Sequence, residues 1–183
     1  MILAEDAQSQ SFAHQALRAT GANPRRIRHA PLPSNAGGGG GGHGFVLARY
    51  ATEVTAFRRQ NAKAKTGLIV HIDGDDRSVG ERHQQLAAKL ADADAPARGR
   101  DEAIAELAPK RNIEAWIYAL DATVEASLTT IDERTEYPKL KYPGECARAS
   151  QTFAEHARER STPAAARDVP SLLDGIAEFQ RLP

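Results

Sequence analysis

Three carboxylates stand in Asp73-Gly74-Asp75-Asp76, directly after the apolar run Thr66-Gly67-Leu68-Ile69-Val70-His71-Ile72. Glu5 follows the short apolar opening Ile2-Leu3-Ala4 in the same way. Continuous β-branched runs mark strands buried on both faces of a parallel sheet. Such sheets bind ligands beyond the carboxyl ends of their strands. If the two strands are parallel neighbours, Glu5, Asp73 and Asp75 meet at one edge. Asp76 would be a further ligand, or an acceptor that orients one. Clustered carboxylates repel unless a cation lies between them, and sites built from oxygen alone suit Mg²⁺ or Mn²⁺. The competing reading is local, since Asp and Gly dominate solvated turns.

Further candidates lie around this cluster. Asn112 is placed to cap a helix whose stripe is Ile113, Trp116, Ile117 and Leu120, and Glu114 lies about 100° round from Ile113. Glu114 either faces a site at the helix start or is a first-turn acid suiting the dipole. Lys110 and Arg111 could hold a phosphate or stabilise a leaving oxygen; as solvated residues they need no function. Gly37 to Gly42 are six consecutive glycines, but the run ends Gly-His-Gly-Phe. A P-loop requires Gly-Lys-Ser/Thr there, so ATP binding through this loop is excluded. His43 is left as a phosphate contact or proton shuttle. His71, inside the apolar run, reads as packed. Tyr137-Pro138-Lys139-Leu140-Lys141-Tyr142-Pro143 interleaves bases with aromatic rings, a pattern that can pair phosphates while rings stack on bases. It is also an ordinary exposed loop.

The elements that must position these residues alternate between strand and helix, predicting a Rossmann-like α/β fold. Its sheet is mostly parallel, with helices on both faces. Strands are expected at 2–4, 25–32, 68–72 and 103–108. Helices are expected at 8–20, 45–63, 79–91, from 112, at 145–160 and at 171–181. The glycine run reads as a mobile connection, 133–144 as an exposed loop, and Pro163-Ala-Ala-Ala as a linker. Residues 1–122 form the core, and 123–183 a loop and helical extension of the same domain.

The chain has 183 residues with 24 basic and 24 acidic side chains, so no global field drives it onto nucleic acid and any such binding relies on local patches. The single cysteine, Cys146, forms no internal disulfide and fits a reducing compartment. The acid at Glu5 comes too early for a signal peptide, and no apolar stretch approaches the ~20 residues of a membrane span. A cytoplasmic location is expected.

Ile2-Leu3-Ala4-Glu5-Asp6 and Ile72-Asp73-Gly74-Asp75 together resemble the glutamate and D-x-D motifs of the TOPRIM domain, across roughly residues 1–120. Pro109-Lys110-Arg111-Asn112-Ile113-Glu114-Ala115-Trp116-Ile117 resembles the region after the next strand in small stand-alone TOPRIM-like proteins. Several of these are encoded beside an ABC-type ATPase in bacterial anti-phage systems. The resemblance implies an Mg²⁺-dependent nuclease acting on DNA or RNA, an effector switched on by a partner ATPase. It implies Glu5, Asp73 and Asp75 as metal-holding catalytic residues, assisted by Glu114 and Lys110. Nucleic acid would be contacted by His43, Arg111, Lys139 and Lys141, with one lysine of the chain reaching the site as in OLD-type nucleases. Asp6 stands where the family often has Gly, and Ser9 where its nucleases often have an acid, leaving the number of metals open. A homo-oligomer is a further possibility.

Two other readings compete. The Glu5-Asp6 opening also resembles a response-regulator receiver, with Asp73 as phospho-acceptor. The long Glu5-to-Asp73 interval and the surplus of acids oppose it. The third is a non-catalytic, partner-binding subunit.

Overall fold

A computed structural model describes residues 1–32, 42–121, 123, 131–140 and 143–183. β1 (Ile2–Ala4) leads to α1 (Ala7–Ala19) and a 3₁₀ turn, Pro24–Arg26. α2 (His43–Asn61), β2 (Leu68–His71), α3 (Val79–Asp92), β3 (Ile104–Leu107) and α4 (Ile113–Leu120) follow. α5 (Pro143–Glu159), a second 3₁₀ turn (Ala164–Arg167) and α6 (Pro170–Phe179) complete the order. The strands pair in parallel in the order β1-β2-β3, with Ala4 opposite His71 and His71 opposite Leu107. This is the α/β architecture expected, with helices on both faces.

Successive strand residues point to opposite faces, and every residue of the three strands is buried. Leu3, Leu68, Val70 and Ile104 face one core with Val46, Tyr50, Val54 and Phe57 of α2 and Leu86 and Leu90 of α3. Ile2, Ala4, Ile69, Ala105 and Leu107 face the other, against Phe12, Trp116, Phe153 and Phe179. Each such Leu, Ile, Val or Phe contributes about 1.5–3 kcal/mol by leaving water. Trp116 anchors the second core: it stacks on Phe153, and its indole N–H donates to Ser171 Oγ at 2.9 Å. α6 reaches this ring only because residue 175 is glycine; a Cβ there would run into the indole.

Three expectations change. The segment 25–32 is not a strand: after the 3₁₀ turn it makes one parallel bridge, Ile2 to His29. Pro24 begins the turn and Pro31 cannot donate a ladder bond, so pairing stops at Ala30 N–H to Ile2 O. The Pro163 linker is instead the second 3₁₀ turn, with Ala166 buried. The loop from 133 is not wholly exposed: Tyr137 and Leu140 pack against the core, Tyr137 with its ring 5.1 Å from that of Tyr118. Most of the glycine run and Lys141 lie outside the described residues. Among those described, no helix is long and apolar enough to cross a membrane.

Candidate metal centre

β1 and β2 end side by side, so Glu5 and Asp73 emerge at the same edge. Asp73 is pulled onto Glu5: its backbone N–H donates to Glu5 Oε1 at 3.1 Å. His71 lies two residues before Asp73, on the same face of the chain. Single donor atoms of Glu5, His71 and Asp73 all lie within 4.8 Å of one another. Glu5 and His71 are buried, and Asp73 half-buried.

The electrostatics fit a cation. Burial raises the Glu5 carboxyl, and its hydrogen bonds with Asp73 offset this only in part. Asp73 is raised well above the usual carboxylate range by burial first, then by the charge of Glu5 and their shared hydrogen bond. Both shifts favour a proton shared between the two carboxyls when no cation lies there. Burial pushes His71 down to about 4, leaving a neutral imidazole with a free lone pair. Neither ring nitrogen of His71, nor Asp73 Oδ1, has a hydrogen-bond partner among the described residues. Each orphaned buried group costs about 1–3 kcal/mol. A divalent ion in place of the proton would satisfy His71 and both carboxylates together, so these residues fit one.

The next two acids turn away from this point, for a backbone reason. Gly74 N–H donates to Pro109 O at 2.7 Å, and a Cβ on residue 74 would collide with the Lys110 carbonyl. The loop therefore lies flat on the β3–α4 connection, and Asp75 takes a left-handed conformation, φ 53°. Asp75 Oδ2 then meets Arg82 Nη2 at 2.9 Å and His43 Nδ1 at 3.1 Å. Asp76 is 97% exposed and pairs with Arg111. Neither Asp75 nor Asp76 joins the cluster of donors.

Arg82 organises that loop. Its buried guanidinium donates from Nε to the Asp73 carbonyl at 2.8 Å while holding Asp75. Ser78 and Glu81 form a capping box that sets the start of α3, and with it the direction of Arg82. No local pattern singles out Arg82. His71 did leave a signal: period-two alternation puts it on the face of Asp73.

The remaining candidates divide. Lys139 crosses to the site, its ammonium 2.8 Å from Asp6 Oδ2. Burial alone would raise Asp6, but bonds from Lys139 and Ser9 outweigh it and lower the carboxyl. Asp6 also caps α1 by accepting from Ser9 N–H at 2.8 Å. That capping role accounts for an acid at this position. Glu114 is buried, raised chiefly by burial, and its Oε1 has no partner among the described residues. Lys110 bends away to the Arg77 carbonyl at 2.8 Å. Arg111 is committed to Asp76 and Glu136.

Comparison with known proteins found no matching family model, no similar curated protein and no similar solved structure.

Proposed function

We propose that the chain is a metal-dependent phosphodiesterase acting on nucleic acid. One observation carries this reading: two carboxylates and a neutral imidazole converge, under-satisfied, at the carboxyl edge of adjacent parallel strands. Glu5, Asp73 and His71 would hold the ion. Carboxylate ligands suit Mg²⁺ and Mn²⁺ alike, while an imidazole nitrogen suits Mg²⁺ poorly. Of these two ions, Mn²⁺ is accordingly preferred. When bound, it would supply an activated water and neutralise charge on the scissile phosphate.

The chain's own groups complete the site. Asp6 holds the Lys139 ammonium beside the cluster, where it can pair a non-bridging phosphate oxygen. Arg82 fixes the Asp73 backbone, so the Asp73 carboxylate is presented in one orientation. Burial holds the Glu114 carboxyl above the ordinary carboxylate range, which suits the role of a proton donor. The resemblance to TOPRIM-like effectors extends the reading to a partner ATPase and a role in defence.

The receiver reading draws less support. A phospho-acceptor must be open to its donor, whereas Asp73 Oδ1 is buried and its carboxyl shares a hydrogen bond with Glu5.

The test is cleavage of supercoiled plasmid and of RNA by the purified chain with Mn²⁺ or Mg²⁺. Activity lost in Asp73→Ala and His71→Ala but kept in Asp76→Ala supports the reading. Acetyl-phosphate labelling of Asp73 with no cleavage in any metal would replace it with the receiver.

A further inference from the structure

The opposite edge of the sheet, at the amino ends of the strands, carries a groove of about 1210 Å³ bounded by Met1 and Gly67. Three separate segments line it with cations. Arg25, Arg26 and Arg28 come from the stretch after α1. Lys63 and Lys65 follow the end of α2, and Arg158 and Arg160 stand at the end of α5. All seven are exposed. Only Arg158 has an ion-pair partner among the described residues, its neighbour Glu159 at 3.5 Å. Among the described residues the one acidic side chain in the lining, Glu53, is already paired with Arg49.

Part of this charge answers the backbone. α1, α2, α5 and α6 all end at this groove. Each helix C-terminus is equivalent to about half a negative charge, so about two cations balance the four. Seven exceed that need. The formal charge of the whole chain is zero, so this concentration of cations is local and is balanced by acids elsewhere in the chain. Arg160 adds an independent sign. It sits at φ 53°, in the left-handed position after α5 where helices usually place glycine. A non-glycine residue there costs about 1–2 kcal/mol, and this one points its charge to the groove.

The floor is apolar: half-buried Leu17, Ile27 and Leu182 pack against the core that holds Phe179, and Phe57 lines it too. We propose that this groove binds single-stranded nucleic acid, with phosphates on the cationic rim and bases against the floor. Five of the seven cations are arginines, whose planar fork pairs phosphate oxygens two at a time. A duplex hides the base faces that the floor would contact; a single strand exposes them. The groove lies across the sheet from Glu5 and Asp73, so it would hold a strand without cutting it. Binding here stands whether or not the metal centre cleaves.

The experiment is fluorescence anisotropy of a labelled 20-nucleotide single strand, DNA or RNA, with EDTA present throughout. Wild-type protein is expected to bind with a log–log salt slope of about −3 to −4, as for five neutralised phosphates. Two charge-reversed variants, Arg25→Glu/Arg26→Glu/Arg28→Glu and Lys63→Glu/Lys65→Glu, should each bind at least ~10-fold more weakly. Circular dichroism of these surface variants confirms that they fold. Asp73→Asn should bind like wild type, which separates the groove from the metal centre. Binding unchanged in both groove variants, or absent at low salt, would overturn the proposal. So would displacement by polyglutamate, or by a mononucleotide, as readily as by unlabelled strand.

Discussion

The Asp73 backbone N–H donates to Glu5 Oε1 at 3.1 Å, joining residues 68 positions apart in sequence. This bond registers the end of β1 against the end of β2 and brings two carboxyls together where water is scarce. The pair therefore costs the fold stability unless a proton or a metal lies between its members.

Glu5→Gln should stabilise the protein in the absence of metal. The amide oxygen still accepts from Asp73 N–H, while the new N–H₂ donates to the Asp73 carboxylate and removes the repulsion. A gain of about 1 kcal/mol corresponds to a rise of ~2–4 °C in Tm for a domain of this size. Differential scanning fluorimetry with EDTA reads it. The same variant should lose the Tm increase that Mn²⁺ gives wild type.

Gly74→Ala should be the most damaging single-methyl change near the site. Its Cβ meets backbone atoms of Pro109 and Lys110, which have no rotamer by which to escape. The loop must lift from the β3–α4 connection, at a cost of about 1–3 kcal/mol. Urea denaturation measures the loss, and a weakened Mn²⁺ affinity should accompany it. An unchanged midpoint would mean that the loop is not seated as described.

Arg82→Lys should uncouple Asp75 from Asp73. One ammonium cannot reproduce a fork that holds the Asp73 carbonyl and the Asp75 carboxylate at once. Mn²⁺ affinity should fall, whereas Asp75→Asn should leave it within about threefold (~0.6 kcal/mol). Equal losses in the two variants would instead make Asp75 a ligand.

Asp121 gives a pH signature remote from the site. Burial would raise this carboxyl, but hydrogen bonds from Arg148 and Thr123 outweigh it and hold it below its ordinary 3.8. Its folded pKa is thus depressed, so its contribution is present above pH ~4 and lost as pH falls further. Asp121→Asn should cost about 1–2 kcal/mol at pH 7, a value reduced because Arg148 is half-exposed. Chemical denaturation of the two proteins should converge below about pH 3.

Much of this arrangement was legible in the residues. Apolar runs ending in Glu5 and Asp73 located the edge of the sheet, because buried parallel strands have few other sequence forms. Asp75 and His71 exchanged places for reasons the sequence hides. The close approach of Gly74 to Lys110 is a tertiary event, and it rotates Asp75 toward Arg82. His71 looked like core because it is core, its ring 6.5 Å from that of Trp116. What separates it from a packed residue is that neither ring nitrogen has a hydrogen-bond partner among the described residues. Lys139 reaches Asp6 over 133 positions, a distance at which no local pattern could choose it.

The most direct test of the centre is Mn²⁺ binding followed by pulsed electron paramagnetic resonance on the purified chain. Coordination by Glu5, His71 and Asp73 predicts bound Mn²⁺ with nitrogen coupling from one imidazole. That coupling should vanish in His71→Ala, and binding itself should be lost in Asp73→Ala but kept in Asp76→Ala. Mn²⁺ bound without nitrogen coupling, and with undiminished affinity in Asp73→Ala, would contradict the account.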